Sequence, residues 1–282
     1  MSETLATTTA PRLTSLSHGG GCGCKIAPGI LAQLIGQSTL PTQFFPDLLV
    51  GTETADDAAV YRINEHQAIV ATTDFFMPIV DDPHDFGRIA ATNALSDIYA
   101  MGATPLMALA IVGMPINVLP HSTIAAILEG GASVCRAAGI PLAGGHSIDS
   151  VEPIYGLVAI GIVDPRQLKR NADAQAGDVL ILGKPLGVGI LSAALKKELL
   201  DATGYAAMIS ATTQLNRPGP DLAQLPGVHA LTDVTGFGLL GHALEMAKGA
   251  QLTACIDAAA LPLLPGIQAF AEQGVVTGAS GR

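Results

Sequence analysis

The first half of the chain alternates apolar and polar residues in short runs, which is typical of β-strands separated by turns. One predicted hairpin joins Asp56–Ile63 to Ala68–Asp74 through a turn at Asn64 and Glu65. Continuous apolar runs predict two further, buried strands at Pro105–Gly113 and Ile154–Val163. A shorter strand is predicted at Pro141–Ser147, where it runs into a glycine turn.

Apolar residues spaced three and four apart predict helices between these strands. The strongest candidate is Asp85–Met101, with Asp85 placed to cap its start. A second amphipathic helix is predicted at Pro120–Ala138 and ends at Gly139. A short helix is also predicted at Pro28–Gly36.

The second half of the chain restarts the alternation after a more polar stretch, Asp164–Gly177, where we place a domain boundary. Strands and helices alternate again there, with strands predicted at Asp178–Gly183, Val228–Thr232 and Gln251–Asp257, and helices at 187–200, 205–215 and Gly236–Lys248. We therefore predict an α/β (α+β) chain of two domains, 27–165 and 166–282, preceded by an arm over 1–26 whose first 16 residues are loose.

The composition supports a globular protein with a substantial core, because 49% of its 282 residues are hydrophobic and 13% are charged. The net charge is −10 and the cations are scattered, which argues against a nucleic-acid partner. The start lacks the apolar core of a signal peptide, and no apolar run is long enough to span a membrane. We therefore expect a cytoplasmic protein with reduced thiols, in which Cys135 and Cys255 are buried.

Ser17–Lys25 is the stretch densest in reactive groups, with four glycines, Cys22, Cys24 and a lysine within nine residues. Glycines leave the backbone free to adopt many conformations, and a cation beside a thiol lowers its pKa toward the reactive thiolate. These residues predict a mobile active-site loop. A glycine-rich tail with inert cysteines is the alternative.

Five aspartates lie at the ends of predicted elements or inside a predicted helix, namely Asp56, Asp57, Asp74, Asp97 and Asp233. Carboxylates at strand ends can gather around one cleft, and Mg²⁺ prefers such hard oxygen ligands together with phosphate and water. The alternative is that each caps a helix or turn. For Asp97, in mid-helix among apolar residues, we favour a metal or a cation as partner.

Two glycine-rich turns, at Gly144–Ser147 and Gly236–Gly238, could place backbone N–H groups on a phosphate. Each is a weak signal by itself. The chain has no P-loop and no protein-kinase signature.

Several motifs taken together resemble those of the selenophosphate synthetases, or selenide, water dikinases. The resemblance extends over almost the whole chain from Arg12 and is carried by Ser17–Lys25, Glu53–Val60, Thr72–Val80, Asp85–Asp97, Ala143–Asp149 and Thr232–His242. It implies that ATP, selenide and water give selenophosphate, AMP and phosphate. It also implies a two-domain fold like that of aminoimidazole ribonucleotide synthetase, with N-terminal strands forming a barrel in a homodimer.

The resemblance also implies roles for individual residues. Cys22 matches the catalytic cysteine, and Lys25 matches a lysine that contacts ATP. Asp56, Asp97 and Asp233 match the residues that bind Mg²⁺. Positions that match nucleotide contacts are Glu53, Thr54, Ala55, Asp74, Asp97, Gly145, His146 and Ser147, with Asn93 as a further contact.

Position 55 is Ala where relatives carry Arg, so only a backbone contact would persist there. The family pattern continues past Arg282, so we expect an incomplete second domain. A selenium-delivery protein is a candidate partner, and a monovalent cation is a candidate cofactor beside Mg²⁺.

Two other functions remain open from the sequence. One is another ATP-dependent enzyme of the same superfamily, such as a thiamine phosphate kinase or a ribonucleotide cyclase, which would not need the cysteine loop. The other is a non-catalytic protein that carries selenium or a soft metal on Cys22 and Cys24.

Overall fold

The computed structural model describes residues 11–21, 25–26, 28–37, 44–52 and 56–277. Its centre is a six-stranded sheet in the order β1-β2-β3-β6-β4-β5. The strands are β1 Leu48–Val50, β2 Ala59–Asn64, β3 Gln67–Phe76, β4 Thr104–Met114, β5 Leu142–Asp149 and β6 Ile154–Val163. Only β4 and β5 run parallel, and the other neighbours are antiparallel.

Side chains alternate between the two faces of this sheet, as the sequence pattern predicts. Ala68 and Val70 of β3 are fully buried on the inner face, whereas Ile69 between them is 38% exposed on the outer face. Asp74 follows the same period and lies on the inner face. The strands predicted in the first half are confirmed, with ends that differ by a few residues.

Helices α1 Pro28–Gln37, α2 Pro83–Ala100 and α3 His121–Ala138 belong to the first half. Asp82, not Asp85, caps α2, because its side chain accepts a 2.8 Å hydrogen bond from the Asp85 backbone N–H. The Asp85 carboxylate is instead 2.9 Å from both the Arg88 guanidinium and the Tyr205 hydroxyl. The predicted cap at Asp85 is therefore wrong by one helical turn.

Helices α2 and α3 pack closely because glycines line their contact. A Cβ at Gly87 would lie 1.9 Å from Ile127 O, and one at Gly130 would lie 2.1 Å from His84 O. α2 also packs against β3 and β6. Phe86 of α2 touches the aromatic ring of Tyr155 in β6, with ring centroids 6.3 Å apart. This layer of helix on sheet fixes where the polar residues of α2 lie.

The described part of the second half, 166–277, contains five α-helices, α4 Val188–Lys196, α5 Ala202–Thr213, α6 Gly219–Ala223, α7 Gly238–Gly249 and α8 Ile267–Glu272. The helices predicted there are confirmed with shifted ends. The three predicted strands at 178–183, 228–232 and 251–257 are wrong, because none of these segments joins a ladder. Within residues 166–277, the described β contact is an isolated bridge between Leu186 and Leu263.

Residues 11–21, which we call the docked arm, lie against the body of the protein. Leu13 is 1% exposed, and Thr14 and Ser17 are also buried. The loose arm predicted over residues 1–16 is therefore wrong for its described part, 11–16, because Leu13 packs in the core. No helix in the described part of the chain has both the length and the apolar character that crossing a bilayer requires.

Candidate active site

Three carboxylates from distant parts of the chain meet at one place. One oxygen each from Asp57, Asp97 and Asp233 lies within 4.8 Å of the others. Asp57 precedes β2, Asp97 is near the end of α2, and Asp233 lies in the connection before α7. The two halves of the chain thus contribute to a single acidic group, which we call the acidic cluster.

Hydroxyl groups hold two members of the acidic cluster in place. Thr72 Oγ1 on β3 donates a 2.6 Å hydrogen bond to Asp97 Oδ2. Thr232 Oγ1 donates a 3.2 Å hydrogen bond to Asp57 Oδ1 from the second half of the chain. Asp57 Oδ2 and Asp233 Oδ2 are buried and have no hydrogen-bond partner among the residues that the structure describes.

Burial and the repulsion from neighbouring carboxylates disfavour the charged forms of Asp57 and Asp97. Burial, followed by the Asp233 charge, raises the pKa of Asp57 well above its usual value. The same two causes raise the pKa of Asp97, with Asp57 and Asp74 adding to the effect and the Thr72 hydrogen bond opposing it. A divalent cation placed among these oxygens would remove the repulsion. Their hard donor chemistry and their unpartnered atoms fit Mg²⁺.

The predicted ligand set differs from the acidic cluster at one position. Asp97 and Asp233 are brought together, but Asp57 joins them in place of the predicted Asp56. Asp56 Oδ1 accepts a 2.7 Å hydrogen bond from the Asn171 backbone N–H, in the connection that follows β6. The metal role predicted for Asp56 stays a prediction, and the structure adds Asp57 as a candidate ligand beside Asp97 and Asp233.

Asp74 and Asn93 lie beside the acidic cluster, on the inner face of β3 and on α2. Asn93 Nδ2 donates a hydrogen bond to Asp74 Oδ2, and Lys25 Nζ lies 3.9 Å from the same oxygen. Burial raises the pKa of Asp74, although the Lys25 charge opposes this. Asn93 and Asp97 are four residues apart, so both project from one face of α2. The predicted nucleotide-binding residues Asp74, Lys25 and Asn93 thus lie together.

Gly145, His146 and Ser147 lie elsewhere on the sheet, on its edge strand β5. Gly145 pairs with Ala110, which pairs with Leu157, which pairs with Asp74. Three strand spacings of about 4.8 Å separate Gly145 from Asp74 along this row. His146 and Ser147 are exposed. The structure therefore does not bring these three predicted contacts next to Lys25 within one chain.

The glycine turn predicted at Gly144–Ser147 is also wrong, because these residues form part of β5. Gly144 and Gly145 have φ values of 136° and 151°. A Cβ at Gly145 would lie 2.1 Å from Ala110 O, so the close approach of β4 requires glycine there.

Four predicted site residues, Cys22, Glu53, Thr54 and Ala55, lie outside the described residues, as does Cys24. Of the other thiols, Cys135 is buried as predicted, and burial raises its pKa to about 11. Cys255 is exposed, which contradicts its predicted burial, because the segment around it forms no strand.

Two supporting residues, Thr72 and Thr232, were not predicted from the sequence. The signal for Thr72 was present, since a strand places residues two apart on the same face and Asp74 was already a candidate. Thr232 directly precedes Asp233, but no local pattern links it to Asp57.

Comparisons with known proteins agree with the fold and identify the family. Family models of AIR synthase related proteins match the N-terminal domain over residues 55–163 and the C-terminal domain over residues 175–281. The predicted domain bounds of 27–165 and 166–282 stay predictions.

Solved structures show the same two-domain fold. The thiamine monophosphate kinase ThiL of Aquifex aeolicus superposes with a TM-score of 0.67 at 18% identity, covering 90% of this chain and 86% of its own. The hydrogenase maturation protein HypE in complex with ATP gives a TM-score of 0.62 at 19% identity, covering 95% of this chain and 79% of its own. At these identities the likeness concerns the fold alone.

Curated relatives are far more similar in sequence. A selenide, water dikinase of Pseudomonas straminea is 83% identical over 272 residues, which cover 96% of this chain and 76% of the relative. That of Paraburkholderia xenovorans is 77% identical over 276 residues, which cover 98% of this chain and 78% of the relative. On this identity and coverage, the chain belongs to the selenide, water dikinase family.

Proposed function

We propose that the chain makes selenophosphate from selenide, ATP and water, with AMP and phosphate as the other products, and that the acidic cluster holds Mg²⁺ for this reaction. Its relatives at 83% and 77% identity are named selenide, water dikinase. The observation that carries the site assignment is the meeting of Asp57, Asp97 and Asp233 within 4.8 Å. A nucleoside triphosphate needs such a metal ion between its negatively charged phosphates and the carboxylates of the protein.

The neighbouring residues support phosphoryl transfer in this place. Mg²⁺ held by the acidic cluster would neutralise negative charge on the triphosphate and on the departing phosphate. Lys25, whose side chain is 39% exposed, is placed to add a second cation beside Asp74. Asn93 keeps the Asp74 carboxylate oriented through its hydrogen bond, and Thr72 does the same for Asp97.

In the proposed reaction, the Cys22 thiolate positions selenide, without a covalent bond to it, before the selenium attacks the γ-phosphorus. This role comes from the family resemblance, together with the sequence proximity of Cys22 to Lys25. Glu53, Thr54 and Ala55 stay predicted nucleotide contacts, and this prediction also comes from the family resemblance. A monovalent cation, a selenium-delivery protein and a cytoplasmic location also stay predictions.

A homodimer is part of the proposal, because the outer face of the sheet is apolar and exposed. Tyr61, Ile69 and Phe75 on this face are 47%, 38% and 49% exposed. On the side away from β4, β5 pairs with no other strand of the described chain. A second copy packed on this face would bury the exposed apolar side chains. The dimer would then contain a second set of Gly145, His146 and Ser147, contributed by the partner.

Phosphorus NMR of ATP and selenide with the protein and Mg²⁺ tests the proposed activity. We expect selenophosphate and AMP to form together, and Asp97→Asn to abolish both signals. ADP formed with another phosphoryl acceptor would instead favour a kinase of the same superfamily. Absence of Mg-ATP binding by calorimetry would favour the selenium-carrier alternative.

A further inference from the structure

Asp81 collects three hydrogen bonds from the docked arm. It lies in the connection between β3 and α2, where Oδ2 is 2.8 Å from Arg12 Nε. Its Oδ1 accepts hydrogen bonds from the Thr14 backbone N–H at 2.9 Å and from the Thr14 hydroxyl at 2.6 Å. Burial raises the pKa of Asp81, but the Thr14 hydrogen bonds and the Arg12 charge outweigh it, so the net pKa is lowered. The charged carboxylate therefore fixes the first part of the arm.

Glu152 holds the docked arm at a second point, His18, which lies five residues after the buried Leu13. It lies in the connection between β5 and β6 and accepts a 2.8 Å hydrogen bond from the His18 backbone N–H. The His18 ring Nδ1 is 2.9 Å from each of the two Glu152 carboxylate oxygens. The two anchors thus belong to different connections at the same sheet.

With Asp81 and Glu152 holding the docked arm, its last residues lie against the end of β3. Gly21 N donates a 2.9 Å hydrogen bond to Met77 O, just after the last residue of β3. A Cβ at Gly21 would lie 2.9 Å from the Ile79 side chain, and its φ of 55° favours glycine. Four residues later, Lys25 Nζ is 3.9 Å from Asp74 on the same strand. Gly21 and Lys25, which flank Cys22 in the sequence, therefore both lie near one end of β3.

We propose that Asp81 and Glu152 are positioning residues for the reaction, because they hold the docked arm so that Gly21 lies at the end of β3, the strand whose Asp74 is 3.9 Å from Lys25. This inference rests on the proposed function. Neither carboxylate lies in the acidic cluster, so each acts through the arm rather than by touching the nucleotide or selenium. Misplacement of a reacting group by about 1 Å can lower a rate by about 100-fold, so such anchoring is large enough to measure.

The test uses Asp81→Ala, Glu152→Ala and the double variant, with Glu129→Ala as the matched control. Glu129 also pairs with an arginine, Arg136, but it lies on the exposed side of α3. Steady-state rates give kcat and the KM for ATP. Trypsin cleavage after Arg12, followed by mass spectrometry, reports whether the arm is docked, since Leu13 is buried in the docked state.

We expect kcat to fall about 10-fold or more in each anchor variant, while the KM for ATP changes by a smaller factor, because the acidic cluster is untouched and Lys25 is the predicted nucleotide contact that follows the arm. Cleavage after Arg12 should become faster in both. The double variant should lose less than the product of the two single losses, because both anchors act through one arm. Glu129→Ala should match the wild type in every measurement.

Two outcomes would overturn the inference. Faster cleavage with unchanged kcat would mean that the arm docks without positioning the reacting groups, and unchanged cleavage would mean that these carboxylates do not hold it. If the alanine variants fail to fold, Asp81→Asn and Glu152→Gln keep the shape and answer the same questions. A wild-type protein that makes no selenophosphate would contradict the proposed function alone, because the cleavage result would still report on the anchors.

Discussion

The Thr72 hydroxyl on β3 donates a 2.6 Å hydrogen bond to Asp97 Oδ2 on α2. We expect Thr72→Val, which keeps the shape and removes the donor, to weaken Mg-ATP binding about 10-fold. A hydrogen bond to a charged group contributes about 1.5–3 kcal/mol, and here it favours the charged form that a metal requires. Isothermal calorimetry measures the affinity. Thr73→Val is the control, because Thr73 faces the opposite side of the sheet, and equal affinities in both variants would contradict the role of Thr72.

The adjacent residues Asp56 and Asp57 allow a direct test of which of them binds the metal. Asp57→Asn should lower the affinity for Mg-ATP by at least about 10-fold, because it removes a negative charge from the acidic cluster and replaces one carboxylate oxygen with an amide nitrogen. Asp56→Asn should lower it much less, since the Asp56 side chain can still accept the hydrogen bond from Asn171. Titrating both variants with Mg-ATP separates the two residues. A larger loss in Asp56→Asn would instead support the ligand role predicted for Asp56.

The raised pKa values of Asp57 and Asp97 predict how pH changes the stability of the metal-free protein. Their pKa lies well above 3.8 in the folded state, so between 3.8 and the raised values the folded protein binds more protons than the unfolded chain. Their contribution to stability is therefore present at low pH and is lost as the pH rises through the folded-state values.

Asp97→Asn isolates this effect from other titrating groups. The free energy of unfolding of the wild type minus that of Asp97→Asn should fall as the pH rises, measured by urea denaturation with a chelator present. Added Mg²⁺ at neutral pH should raise the melting temperature of the wild type more than that of the variant, because it binds the folded state. A pH-independent difference would mean that Asp97 titrates normally.

The first half of the fold could be predicted because its pattern is local. Ala68 and Val70 alternate with exposed residues along β3, and this period of two indicates a strand without any knowledge of its neighbours. The segments 178–183 and 251–257 contain strand-forming residues as well, yet they stay irregular. Val179, for example, is 82% exposed. A strand needs a partner for its backbone hydrogen bonds, and local composition does not state whether one is present.

The candidate site could likewise be predicted only where the signal is local. Asp97 could be identified because a carboxylate among the buried residues of a helix needs a partner. The residues alone could not show which of Asp56 and Asp57 lies within 4.8 Å of Asp97 and Asp233, because this depends on contacts with residues far along the chain. Asn171, 115 positions away, binds Asp56, and Thr232, 175 positions away, binds Asp57. The anchors Asp81 and Glu152 were missed for the same reason.

The close packing of α2 on α3 predicts a strong effect of one methyl group. A Cβ at Gly87 would lie 1.9 Å from the Ile127 carbonyl oxygen, which is backbone and cannot rotate away. Gly87→Ala should therefore destabilise the protein by about 1–3 kcal/mol or more. Gly183→Ala is the control, since a Cβ there meets nothing within 4 Å. Thermal unfolding gives the melting temperatures of Gly87→Ala and Gly183→Ala. Equal values would show that α2 and α3 can move apart at little cost.

The outer face of the sheet predicts the assembly state. Ile69 of β3 pairs across the strands with Tyr61 and Ile162, and Ile69 and Tyr61 are exposed on this face. Ile69→Lys should convert a dimer to a monomer, because a buried ammonium without a partner is strongly unfavourable in an apolar interface. Light scattering after size-exclusion chromatography measures the mass. Ile116→Lys is the control, because Ile116 is 49% exposed but lies in the connection after β4. A monomeric wild type, or a dimer that persists in Ile69→Lys, would show that this face does not join two copies.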